Sequence, residues 1–125
     1  MKKNIKFSEP NFEAEWVQAE KVPEFRDLGK KNWASFAATG YKTTLAEIKD
    51  KIKNIECCDD NPLKKQRVCS QIAEGKVETP IVIKLDDDSY EIVAGKTRIR
   101  ELDKLGINDL PVWIVDTSSL MFLIQ

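Results

Sequence analysis

The pattern of the chain changes at Thr79, and that change constrains its fold more than any other feature. After it, Pro80-Ile81-Val82-Ile83-Lys84-Leu85 is a β-branched run, Asp86-Asp87-Asp88 is a polar turn, and Tyr90-Glu91-Ile92-Val93 returns. A run, a turn and a second run of this kind predict a β-hairpin. Gly95 then begins a helix carrying Ile99, Leu102 and Leu105, and Gly106 stands where a left-handed residue closes a helix. Leu110-Pro111-Val112-Trp113-Ile114-Val115 predicts a third strand.

The residues before Thr79 read as helix. Ser8 can cap a segment opened by Pro10, in which Phe12 and Trp16 fall four apart before Pro23 stops it. Trp33, Phe36 and Ala37 repeat helical spacing and end at Gly40. Thr44 and Glu47 have capping-box spacing ahead of a stripe of Leu45, Ile48, Ile52 and Ile55. Asp60 or Asn61 before Pro62 opens a further helix, with Leu63, Val68 and Ile72 inward and Gly75 as its stop. Ser118 or Ser119 can cap a short terminal helix. At 125 residues, with 42% hydrophobic and 33% charged residues, one domain is expected. Its parts are a helical N-terminal portion over 1–60, a core over 61–116 and a tail or short helix over 117–125. The fold class expected is α+β, with helices packed on a small mixed β-sheet.

Composition narrows the chemistry. The absence of histidine removes Ser-His-Asp and Cys-His catalysis and His-ligated zinc. Twenty basic residues against 21 acidic ones leave a net charge of −1, so any anion site is local. The three cysteines include the neighbours Cys57 and Cys58, poorly spaced for a bridge or a metal knuckle, and read as reduced thiols in a cytosol. They are expected to be dispensable for activity. The basic start lacks the apolar run of a signal peptide, and Leu120 to Ile124 is far too short to span a membrane, so a soluble cytoplasmic protein is expected.

The segment Val93-Ala94-Gly95-Lys96-Thr97-Arg98-Ile99-Arg100 joins a strand to a helix through a glycine. The free N–H groups of a first helical turn suit an anion, and glycine lets the backbone approach one. Lys96, Arg98 and Arg100 at the positive end of the helix dipole each cost about 0.3–1 kcal/mol if uncompensated. A bound phosphate reverses that sign. Alternatively, Arg98 and Arg100 pair with Glu101 and Asp103 on a solvated face. Spacing alone leaves both open.

Ile72-Ala73-Glu74-Gly75, Pro80 to Ile83, Tyr90 to Arg100, Leu105-Gly106 and Leu110 to Asp116 together resemble the N-terminal domain of the ParB and sulfiredoxin superfamily. The resemblance spans about residues 67–116. It implies a ParB/sulfiredoxin-like fold in which a Gly-x-x-Arg turn binds nucleotide phosphates. Members include CTP-hydrolysing clamps, nucleases, free-serine kinases and sulfinic-acid reductases. Small stand-alone versions with a Gly-x-Thr-Arg turn look like ones carried by bacteriophages. Carried onto this chain, the resemblance makes Gly95, Lys96, Thr97, Arg98 and Arg100 the phosphate- or nucleotide-binding residues.

The departures are informative. Lys96 replaces the cysteine that follows the turn glycine in sulfiredoxins, so reductase activity is not expected. ParB proteins commonly carry Gly-Glu-Arg-Arg, of which Gly95 and Arg98 remain. The chain ends where a segregation protein would continue into DNA-binding and dimerisation domains, so a partition clamp is not expected. The family's approach loop corresponds to Gly75-Lys76-Val77-Glu78-Thr79-Pro80. There Glu78 could hold Mg²⁺ or accept a proton, while Asp86-Asp87-Asp88 reads as a solvated turn. Lys64, Lys65 and Arg67 form a basic cluster that could contact nucleic acid or lie on an exposed face. Trp16, Trp33 and Trp113 occupy core positions, Trp113 largely buried. The function expected is phosphate or nucleotide binding, with Glu78 and Arg98 catalytic in a Mg²⁺-assisted nuclease, NTPase or phosphoryl-transfer reaction. The alternative is a non-catalytic phage regulator that contacts DNA or a host protein. Because the turn's positive charge is read as uncompensated, Arg98→Ala is expected to leave folding nearly intact.

Overall fold

The computed structural model describes residues 5–53, 62–85, 88–107 and 110–117. Its elements are β1 (Lys6–Ser8), α1 (Trp16–Ala19), α2 (Pro23–Arg26), α3 (Lys30–Ala38), β2 (Tyr41–Thr44), α4 (Leu45–Ile48) with a 3-10 turn at Lys49–Lys51, α5 (Pro62–Glu74), β3 (Lys76–Glu78), β4 (Ile81–Lys84), β5 (Tyr90–Ala94), α6 (Lys96–Lys104) and β6 (Pro111–Asp116). The hairpin forms as its pattern predicts, with β4 and β5 antiparallel. β6 lies parallel to β4 and antiparallel to β2, giving a four-stranded mixed sheet in the order β2-β6-β4-β5.

Strand alternation divides the core between the two faces of this sheet. Val82, Ile92, Val112 and Ile114 pack with Leu45, Ile48, Val68, Ile72, Ile99 and Leu102 from α4, α5 and α6. Ile81, Ile83, Ala94 and Val115 pack instead with Ala19, Phe25, Trp33, Phe36 and Ala37 from α1, α2 and α3. The protein is therefore an α+β fold with helices packed on a small mixed sheet. The pairing of Ile81 with Ala94 and of Val82 with Ile92 leaves one extra residue in β5, a bulge that turns Ala94 to the opposite face from Ile92.

Several local expectations are corrected. Ser8 does not cap a helix: it ends β1, which pairs in parallel with β3, so the expected loop over 75–80 is partly strand. The Ser8 carbonyl instead accepts the Thr79 N–H at 2.9 Å and the Thr79 hydroxyl at 2.7 Å. The expected helix after Pro10 contracts to α1, because the Phe12 carbonyl that would accept a helical bond receives the Trp33 indole N–H at 2.7 Å. Pro23 starts α2 rather than stopping a helix, since a first-turn residue needs no N–H partner. Thr44 makes no side-chain cap bond and belongs to β2; the expected helix shortens to α4 and its 3-10 turn, which bury Leu45 and Ile48 as the stripe predicts, while Ile52 is buried in extended backbone that bridges Tyr90. Leu63 and Leu105 are exposed, not inward. Trp113 is only half-buried, against Phe12 and with its indole N–H on the Ala37 carbonyl at 2.8 Å. The expectations for Ile55, Cys57, Cys58, Asp60, Asn61, Asp86, Asp87 and Ser118 onward lie outside the described residues.

Candidate functional site

The β5 bulge delivers the chain into Gly95, whose φ of +95° lies in the left-handed region. A Cβ there would also stand 2.9 Å from the Pro80 Cβ and 3.2 Å from the Arg98 guanidinium carbon, so the position excludes a side chain on two counts. The first bond of α6 runs from the Ile99 N–H to the Gly95 carbonyl at 2.9 Å. The N–H groups of Lys96, Thr97 and Arg98 precede it and have no carbonyl within the helix to bond. The first turn of α6 contains no acid and Gly95 supplies no side-chain cap. Lys96, Thr97, Arg98 and Arg100 are all half-buried on this helix.

Arg98 folds back over Gly95 and is not unopposed. One terminal nitrogen, Nη1, donates to the Glu78 carbonyl at 3.0 Å and lies 3.8 Å from Glu78 Oε2. The other, Nη2, is 3.5 Å from Glu15 Oε1. The side chains of Arg98 and Glu15 are 13% and 15% exposed, while that of Glu78 is 42% exposed. Of the expected alternative, in which Arg98 and Arg100 pair with Glu101 and Asp103 on a solvated face, the part that concerns Arg98 does not form. Glu101 meets Lys104 at 3.4 Å, and Asp103 meets Lys49 at 2.9 Å. Side chains on a helix lean toward its N-terminus, which carries the guanidinium to the strand side of the turn.

Glu78 is placed by the β1–β3 pairing, which opposes it to Ser8, and by the double bond of Thr79 to the Ser8 carbonyl. Thr79 is buried, and the carbonyl of the next residue, Pro80, accepts the Trp113 backbone N–H at 2.8 Å, so the approach to the turn is tied to the sheet. The structure thus brings Gly95, Arg98 and Glu78 together. It adds Glu15, whose sequence surroundings carry no motif and whose partner is 83 residues away. Burial pushes the Glu15 carboxyl above its ordinary value; the Arg98 guanidinium lowers it, the Glu78 charge raises it again, and Arg67 lowers it further.

A cavity of about 460 Å³ beside this strand pair is lined by Lys6, Phe7, Ser8, Gln71, Lys76, Val77 and Glu78. The Gln71 Oε1 is buried with no hydrogen-bond partner. Lys64, Lys65 and Arg67 are exposed on α5. Asp88 lies 3.8 Å from Lys84, and among the described residues no group of three or more Cys, Asp or Glu is placed to hold a metal ion. A single carboxylate beside phosphate oxygens is nevertheless the donor set Mg²⁺ commonly uses, and half-exposed Glu78 provides one. Among the described residues, no helix is long and apolar enough to cross a membrane.

The family model for the ParB N-terminal domain matches residues 29–124. It begins well before residue 67, where the sequence resemblance starts, and takes in α3, β2 and α4, two of which flank the sheet and one of which is its edge strand. No curated protein and no solved structure matches the chain significantly. With a sheet flanked by helices, a glycine turn into α6 and a family match over most of its length, the chain belongs to the ParB N-terminal domain family.

Proposed function

We propose that this protein binds phosphate groups of a nucleotide or nucleic acid at the turn from Gly95 to Arg100. The observation that carries the reading is the left-handed Gly95, opening a nine-residue helix with no acid in its first turn and an arginine folded against its start. Three first-turn amides, the helix dipole and the cations Lys96, Arg98 and Arg100 favour an anion there, with Thr97 adding a hydroxyl donor. As a reaction, the reading takes phosphodiester hydrolysis or phosphoryl transfer. Arg98 and Lys96 would stabilise phosphoryl charge, and Glu78 would accept a proton from the attacking hydroxyl or water. Alternatively, Glu78 would hold Mg²⁺, which would supply charge neutralisation on the phosphate in place of that proton transfer.

A second reading has its own support. Arg98 already holds two carboxylates and a carbonyl, which suits a non-catalytic member, such as a phage regulator, that contacts DNA or a host protein. Calorimetric titration with nucleoside triphosphates in the presence and absence of Mg²⁺, followed by product analysis, tests both. Saturable binding with turnover is the expected result for the first reading. Indifference to every nucleotide, together with duplex DNA that is bound tightly, is not cleaved and is bound equally well by Arg98→Ala, rejects it in favour of the second.

A further inference from the structure

Glu15 lies outside the residues matched by the family, yet its carboxylate reaches the arginine of the turn. We propose that Glu15 is a built-in competitor for the phosphate, an autoinhibitory carboxylate that holds Arg98 until a ligand displaces it. The inference rests on the phosphate-binding reading of Gly95 to Arg100 and concerns the regulation of that site.

The geometry carries it. The Arg98 guanidinium faces two carboxylates, Glu15 from the segment preceding α1 and Glu78 from β3, so the immediate charge around it is net negative. An incoming phosphate must displace these carboxylates from the guanidinium and, as a like charge close by in a partly buried site, is repelled by both. The pair to be opened is a loose one. Its 3.5 Å separation exceeds the ~2.7–2.9 Å of a strong charge-assisted bond, although both side chains are largely withdrawn from water. Burial already disfavours the ionised Glu15, whose surroundings are Arg98 on α6, Glu78 on β3 and, at longer range, Arg67 on α5. Glu78 is less suited to the role. It is more exposed and more distant, and its backbone carbonyl keeps Arg98 in place when its carboxylate moves.

The test is calorimetric titration of the full chain with inorganic tripolyphosphate, comparing the parent, Glu15→Gln, Arg98→Ala and the double variant. Glu15→Gln keeps a neutral acceptor for Arg98 and removes the competing charge. It is expected to bind about ten-fold more tightly than the parent near neutral pH. The difference should shrink as the pH falls and the parent's own carboxyl takes up a proton, and the gain should vanish in the double variant. Comparing the two proteins at each pH cancels protonation of the probe. Equal affinities for the parent and Glu15→Gln, with Arg98→Ala weaker, overturn the competitor role and leave the phosphate site standing. Weaker binding by Glu15→Gln also overturns it, because Glu15 would then position Arg98 for the ligand. No binding by either protein sinks the phosphate reading and this inference together. If Glu15→Gln fails to fold, Glu15→Asp replaces it. Its carboxylate keeps the charge but is one methylene shorter and stands farther from Arg98, so a smaller tightening is expected, with parent-like or weaker binding overturning the role.

Discussion

Arg98 joins the start of α6 to the end of β3 through a single guanidinium, and removing it leaves three acceptors without their donor. The expectation that Arg98→Ala leaves folding nearly intact assumed an uncompensated turn, and Glu15 and Glu78 compensate it. Arg98→Ala should therefore lower unfolding free energy by about 1.5–3 kcal/mol, the range for hydrogen bonds to charged groups. Arg98→Lys should recover only part, because an ammonium cannot fork toward both neighbours. Urea midpoints at unchanged m-value measure this, and a loss below about 0.5 kcal/mol would show the pairs to be idle. Glu15 predicts a pH signature of the opposite sign. Its folded-state affinity for a proton lies above that in the unfolded chain, so the native state is favoured below the ordinary value of 4.5 and loses that advantage as pH rises through the raised folded value. Glu15→Gln should match the parent's stability in acid and exceed it at neutral pH. Lower stability of the variant at neutral pH would mean that the attraction to Arg98 outweighs burial.

At the scale of elements, the close approach of α3, β2 and β6 depends on Gly40. A Cβ at this position would collide with the Ile114 carbonyl and come within 2.7 Å of the Trp113 indole nitrogen, which itself bonds the Ala37 carbonyl. The colliding atom is backbone in the middle of the sheet and cannot rotate away. Gly40→Ala should destabilise the protein by about 1–3 kcal/mol, as overpacking of a filled site does. A thermal melt of the variant checks it, and an unchanged midpoint would mean that β2 can shift outward as an edge strand. The bulge in β5 acts on the site rather than on the core. By inserting one residue before Gly95 it turns Ala94 across the sheet and sets the direction in which the chain enters α6.

For the whole molecule, the net charge of −1 means that attraction to a polyanion comes from the turn and not from a general field. If Lys96, Arg98 and Arg100 are the cations that meet phosphate, the logarithm of affinity for a single-stranded oligonucleotide should fall with the logarithm of salt with a slope of about −2. For duplex DNA the slope should be nearer −3. Fluorescence anisotropy over a salt series measures this. A slope several units steeper would bring in the exposed Lys64, Lys65 and Arg67 of α5 and move the interface off the turn. The two core clusters on opposite sides of the sheet also make the site a junction. Gly95 follows a strand that contributes to both, while Glu15 belongs to the side packed by α1 to α3.

Elements with a strong period of their own were legible in the sequence: the β4–β5 hairpin, α6 with its glycine at each end, β6, α3 and α5. Each carries enough apolar residues at spacing 2 or 3.6 to declare which face it buries. The turn glycine and its basic residues were legible for the same reason, being contiguous. Tertiary structure alone decided β1, β2 and β3. These strands of three or four residues alternate too briefly, and with too few apolar side chains, to announce themselves, and they exist because a neighbouring strand satisfies their N–H and C=O groups. It also decided the partners of Arg98. An ion pair between residues 83 apart obeys no local periodicity, and Glu15 meets the guanidinium only because helices from the N-terminal segment pack on the sheet face opposite α6.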